Sequence, residues 1–126
     1  MLINSLLIFI GCGIGGLLRY FVFLGSDSLF GKSFPYGTLI VNVTGSFVIG
    51  LLFIVILERF SRFVPQLRAF LLIGLIGGYT TFSSFSLEVV SLLEEQAIFK
   101  AALYIGLSVI LCVFSAWLGV AVGKQI

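Results

Sequence analysis

Four apolar stretches, each long enough to cross a bilayer and separated by short gaps that hold most of the charge, leave this chain few folds to choose from. No charged side chain stands between Met1 and Leu18, and the next apolar runs cover Gly37 to Leu57, Leu67 to Leu87 and Ala101 to Val122. A hydrocarbon core about 30 Å thick takes about 20 helical residues. The gaps carry turn and breaker signals at Gly25 to Pro35, Glu58 to Pro65 and Glu94 to Lys100. The expected fold is an all-α membrane protein, one domain over residues 1–126, with transmembrane helices over approximately 2–24, 37–57, 67–93 and 98–122. Composition agrees. Charged residues make up 10% of the chain, against about 25% in soluble domains, too few to cover a water-exposed surface. The first run is too long, and lacks the basic start, for a cleaved signal peptide. Four helices are too few to surround a wide aqueous pore, so an oligomer is expected.

Several function classes drop out. The chain has no His, which removes His-based metal sites and His general bases, and an enzyme is not expected. Cys12 and Cys112 both fall inside apolar spans and read as small packing residues rather than a disulfide or a metal pair. The run GCGIGG at Gly11 to Gly16 formally satisfies a dinucleotide-binding fingerprint, but that motif needs a preceding strand and a distant acidic partner. Inside a membrane span the glycines instead let helices approach, as small-xxx-small pairs at Gly11/Gly15, Gly74/Gly78 and Gly119/Gly123. Orientation is weakly encoded. Arg59, Arg62, Arg68 and Lys124 fall on one side and Arg19, Lys32 and Lys100 on the other, four cations against three. Such a bias scarcely fixes a topology and is compatible with insertion both ways as an antiparallel dimer.

The polar residues inside the spans carry the functional signal. Thr38, Asn42 and Ser46 share one helical face at i, i+4 spacing, and Tyr104 and Ser108 form a second such pair. Polar groups in lipid must face protein or water, so these stripes are either interhelical hydrogen-bond glue or the wall of a path. Arg19 ends the first apolar run and stands equally for a snorkelling anchor or a functional cation that attracts anions. The segment GGYTTFSSFSLE, residues 77 to 88, interrupts the third run. Two glycines followed by Thr80 and Thr81 predict a break near the middle of the third helix, whose freed carbonyls suit a hard cation such as sodium. Beyond it Phe82 and Phe85 share a face, as do Ser83 and Ser86, and Ser84 and Glu88. Phenylalanine in a membrane is ordinarily packing. A ring has a positive edge, however, and ring edges with hydroxyls and the Asn42 amide would make an anion path with no Lys or Arg to trap the ion.

The segment GGYTTFSSFSLE, together with GGLLRY at Gly15 to Tyr20 and GTLIVNVTGS at Gly37 to Ser46, resembles the fluoride channels of the Fluc (CrcB) family, in that family's order and over essentially the whole chain. The resemblance implies an antiparallel, dual-topology homodimer with two pores in the bacterial inner membrane. It implies passive fluoride export, with fluoride, a second copy and the bilayer as partners and no nucleic acid. By matching positions, Phe82 and Phe85 contact fluoride through their ring edges and Asn42 lines the pore. Thr38, Ser83, Ser84, Tyr104, Ser108 and Glu88 match polar-track or pore-adjacent positions, and Arg19 matches a vestibule arginine. Gly77 and Thr80 match a break whose backbone carbonyls hold a structural Na+ at the dimer interface. Tyr79 and Ser84 are slight departures. A small multidrug exporter, the competing class, needs a mid-membrane carboxylate, usually in its first helix, where this chain has none. A structural subunit of a larger complex is a third reading, and predicts no activity for the purified chain.

Overall fold

The computed structural model describes the backbone of residues 1–126 and the side chains of all of them except Ser61. Four helical spans cross the molecule, Leu2–Phe30, Tyr36–Arg59, Val64–Glu94 and Ile98–Gln125. The first span runs past its expected end at 24, continuing through Gly25 and stopping at Gly31 with φ 75°, while the third begins at Val64 rather than Leu67 and the fourth runs to Gln125 rather than Val122. A glycine inside a helix costs about 1 kcal/mol, less than freeing backbone groups in lipid, so Gly25 does not end the helix. The left-handed φ at Gly31 does. The third span ends in a Schellman turn, with Ala97 N–H donating to Leu92 O at 2.9 Å and Gln96 N–H to Leu93 O at 3.0 Å.

Successive spans alternate in direction, so the first and third run parallel, as do the second and fourth. Glycines seat both pairs. A Cβ on Gly11 would meet Gly74 Cα at 2.9 Å, and one on Gly78 would meet Cys12 Cα at 2.9 Å. The sequence GCGIGG is therefore a packing surface, as its position in a span implied. Gly50 lies on the backbone of Ala116 and Gly119 on that of Phe47, which locks the second and fourth spans side by side.

The third span is irregular. Its first half winds with i to i+5 hydrogen bonds over Arg68–Ile76, returns to α geometry at Gly77–Tyr79, and breaks at Thr80 and Thr81 before resuming as Phe82–Glu94. Both threonines are extended, Thr80 at φ −84°, ψ 159° and Thr81 at φ −153°, ψ 110°. The break thus falls on the threonines and not on Gly77 and Gly78, which stay helical. Their hydroxyls take over backbone bonding: Thr80 Oγ1 donates to Ile76 O at 2.9 Å, and Thr81 Oγ1 accepts from Ser84 N–H at 3.1 Å as the N-cap of the second half.

Candidate functional site

Two polar clusters lie where the second, third and fourth spans meet. The outer one is built on Glu88. Thr38 Oγ1 donates to its Oε1 and Tyr104 OH to its Oε2, each at 2.6 Å, short hydrogen bonds of the charge-assisted kind. Thr38 and Tyr104 are buried, and Glu88 half-buried. One carboxylate therefore ties three spans together, each hydroxyl satisfying an oxygen that would otherwise be costly to bury. Glu88 also borders a recess of about 250 Å³ shared with Asp27, Lys32, Ser33, Ser91 and Glu95, where the polar track reaches one end of the bundle.

The inner cluster is built on the break. Asn42 bonds both backbone groups of Thr81, its Nδ2 donating to Thr81 O at 3.0 Å and its Oδ1 accepting from Thr81 N–H at 2.8 Å. The side-chain amide acts as a short strand partner for the one stretch of extended backbone in the span, and the pairing fixes which end of the amide is nitrogen. One amide N–H stays uncommitted. Thr81 Oγ1 donates to Ser84 Oγ at 3.0 Å and lies 3.2 Å from Ser83 Oγ. Tyr79 OH meets Thr44 Oγ1 at 2.9 Å.

Against the inner cluster, on its side away from Glu88, lies a cavity of about 400 Å³ whose walls include Asn42, Ser46, Thr81, Phe82, Phe85 and Ser108. No Lys, Arg, Asp or Glu lines it. Among the described residues Ser108 Oγ is buried with no hydrogen-bond partner, so the wall of the cavity holds a free O–H as well as the uncommitted Asn42 N–H. Phe85 joins this cavity to the outer cluster, its ring edge-on to Tyr104 at 5.1 Å between centroids. Phe82 packs against Phe85 at 5.4 Å but is 78% exposed. The stripes Thr38/Asn42/Ser46 and Tyr104/Ser108 run side by side because the two spans are parallel.

Of the residues expected from sequence, Thr38, Glu88 and Tyr104 form the outer cluster, and Asn42, Phe82, Phe85 and Ser108 line the cavity. Ser83 is exposed and Ser84 half-buried, both bonded to Thr81 and neither in the cavity wall. Gly77 is exposed and Thr80 half-buried, at the break. Thr81 was missed as a site residue, although a threonine opening a helix three residues ahead of Ser84 is an N-cap signal. Arg19 lies eleven residues inside the first helix's end at Phe30, about 16 Å at 1.5 Å per residue, and is half-buried against the break of the third span. Its Nη1 donates to Thr80 O at 3.3 Å. Arg19→Lys keeps a cation there but loses the planar fork, so ion flux is expected to fall modestly in Arg19→Lys and further in Arg19→Ala. Equal flux in both variants and wild type across a range of ionic strength would return Arg19 to a passive role.

The family model for CrcB-like proteins (camphor resistance, CrcB) matches residues 6–120. A relative from Coxiella burnetii (strain Dugway 5J108-111), named fluoride-specific ion channel FluC, is 57% identical over 123 residues, 98% of this chain and 99% of its own length. Relatives of the same name from Agrobacterium fabrum and Shewanella sp. (strain ANA-3) are 42% and 43% identical, covering 99% and 92% of this chain and the same shares of their own. With four membrane-spanning helices, a broken third span and a match over nearly its full length, the chain belongs to the CrcB family of multi-pass bacterial membrane proteins.

Proposed function

We propose that this chain is a fluoride-selective channel, not an enzyme, and that it exports fluoride passively from the cytoplasm. The observation that carries the reading is the cavity: a buried Ser108 hydroxyl without a partner and a spare Asn42 N–H, walled by Phe82 and Phe85, with no charged side chain in the lining. Donors and positive ring edges solvate a small anion without a counter-charge that would hold it. The relatives' name supports fluoride as that anion. A proton-coupled multidrug exporter fits less well: the first span's one carboxylate, Asp27, stands exposed three residues from its end and beside Lys32 rather than mid-membrane, and both oxygens of Glu88 are engaged by hydroxyls. Expression of the chain in cells stripped of their own fluoride export tests the reading. Lower internal fluoride and restored growth are expected; internal fluoride equal to that of empty-vector cells would oppose it.

The finer reading is an antiparallel homodimer with two pores. Phe82, Ser83 and Gly77 stand exposed on the single chain, so their side of the break has a surface for a second copy to cover. The charge argument changes, however. With Arg19 half-buried against the break, one end of the bundle holds Arg59, Arg62, Arg68 and Lys124 and the other Lys32 and Lys100, four cations to two. That bias is still small. C-terminal reporters active on only one side or the other are both expected to give signal, and signal from one side alone would remove the antiparallel arrangement.

The break also suits the Na+ that the family resemblance implies. Thr81 N–H, which would bond Gly77 O in a continuous helix, goes to Asn42 instead. Thr80 O accepts a single long bond from Arg19. These two backbone oxygens are the hard donors a small cation prefers, and Gly77 and Thr80 would hold it. When bound, the ion would satisfy carbonyl oxygens that the break leaves without backbone N–H partners. A Cβ at Gly77 meets nothing in its own chain closer than Leu72 O at 3.8 Å, so Gly77→Val tests what lies outside the chain. Gly77→Val is expected to weaken the dimer and its sodium-dependent stability, whereas Thr80→Ser is tolerated. Wild-type dimers and sodium dependence in Gly77→Val, measured by size-exclusion chromatography and thermal melting, would count against the site.

A further inference from the structure

The chain's charge is concentrated at one end. The second-to-third connection and the end of the fourth span carry Arg59, Arg62, Arg68 and Lys124 against Glu58, a local charge of +3 from four cations and one anion. The other end carries Lys32 and Lys100 against Asp27, Glu94 and Glu95, a local charge of −1 from two cations and three anions. Arg19 and Glu88 cancel inside the bundle, so the formal +2 of the chain is an excess at a single end.

The two ends also differ in how their cations are engaged. Lys32 Nζ lies 3.7 Å from Asp27 Oδ2, and Lys100 Nζ donates to Ser33 O at 3.3 Å. Among the described residues, Arg59, Arg62 and Arg68 join no ion pair and donate no side-chain hydrogen bond to the protein, and all three are exposed. Two of them are oriented by rings. The Arg68 guanidinium sits 5.7 Å from the centroid of Phe53, and that of Arg62 5.8 Å from Phe63. A guanidinium resting on a ring keeps its N–H edge free, and that edge matches a phosphate in a two-bond fork.

We propose that Arg59, Arg62 and Arg68 form a binding edge for the headgroup phosphates of anionic phospholipids. Depth decides between a lipid and a soluble phosphate. Phe53 lies six residues inside the membrane-spanning second helix, so the Arg68 guanidinium stands at the boundary where headgroups meet acyl chains. Phe60 and Phe63, 48% and 55% exposed, flank the arginines. A lipid covers those rings with its chains while its phosphate meets the guanidinium groups, whereas a free anion leaves the rings uncovered. The proposal does not depend on which ion the chain conducts.

Native mass spectrometry of the purified chain from nonionic micelles doped with phosphatidylglycerol or with phosphatidylcholine tests it. Phosphatidylglycerol is expected to stay bound and phosphatidylcholine to be lost. Retention is expected to fall about fivefold for each arginine removed in R59Q, R62Q and R68Q and furthest in the triple variant, while K32Q/K100Q retains lipid like wild type. The single variants decide the question if the triple variant does not fold. Added inorganic phosphate is expected to leave the lipid in place. Equal retention of the two lipids, undiminished retention in the arginine variants, an equal loss in K32Q/K100Q, or displacement by inorganic phosphate would each overturn the assignment.

Discussion

Phe82→Leu is expected to leave the chain folded while slowing fluoride efflux about thirtyfold, the equivalent of about 2 kcal/mol in the barrier. The residue is 78% exposed on its own chain, so its volume contributes little to that chain's core. What leucine removes is the polarised ring edge. Fluoride is small and strongly hydrated, so a site that offers it fewer ligands leaves more of its desolvation uncompensated. Phe85→Leu is expected to slow efflux as much, with an added stability loss of about 1 kcal/mol, because Phe85 is buried and edge-on to Tyr104. Melting temperature and efflux, measured on the same preparations, separate the two effects. Leucine variants that melt and conduct like wild type would make both rings ordinary packing.

Asn42→Ala has the largest effect expected on the fold itself. The substitution strips Thr81 N–H and Thr81 O of their partners at 2.8 and 3.0 Å. An unsatisfied buried backbone group costs about 1–3 kcal/mol, so losing both is expected to cost about 2–6 kcal/mol. The span can recover part of this by closing the break, since Thr81 N–H can return to Gly77 O. Closure would withdraw the Gly77 carbonyl and re-aim Phe82 and Phe85. Asn42→Ala is therefore expected to lose fluoride efflux and sodium-dependent stability together. Asn42→Asp keeps the acceptor for Thr81 N–H but faces Thr81 O with an oxygen, and is expected to rescue neither. Normal stability in Asn42→Ala would show that the amide does not hold the break.

The spans, the break and the polar stripes were readable because each rests on neighbours in sequence: run length, paired hydroxyls after glycines, and i, i+4 spacing. What was not readable depends on which faces meet. Thr38/Asn42/Ser46 and Tyr104/Ser108 are visible as stripes, but only the parallel seating of Gly50 and Gly119 brings them to one wall. Spacing alone could not show that Glu88 receives hydroxyls from two other spans. Arg19 ends the first apolar run as the first charged residue of the chain, but run length does not show which neighbour its guanidinium meets; the helix continues past it, and Arg19 reaches the break. The i to i+5 winding over Arg68–Ile76 changes the register with which the third span presents the break, and nothing in the sequence announced it. The resemblance to CrcB-type channels supplied fluoride, which spacing and burial do not specify.

Fluoride efflux from liposomes containing only the purified chain bears most directly on the claim that fluoride passes by Phe82, Phe85 and Asn42. With a potassium ionophore present to relieve charge build-up, a fluoride electrode is expected to record rapid release, a chloride electrode none from matched vesicles, and Phe82→Leu vesicles slow fluoride release. Fluoride retained by wild-type vesicles, or chloride released as fast as fluoride, would contradict it.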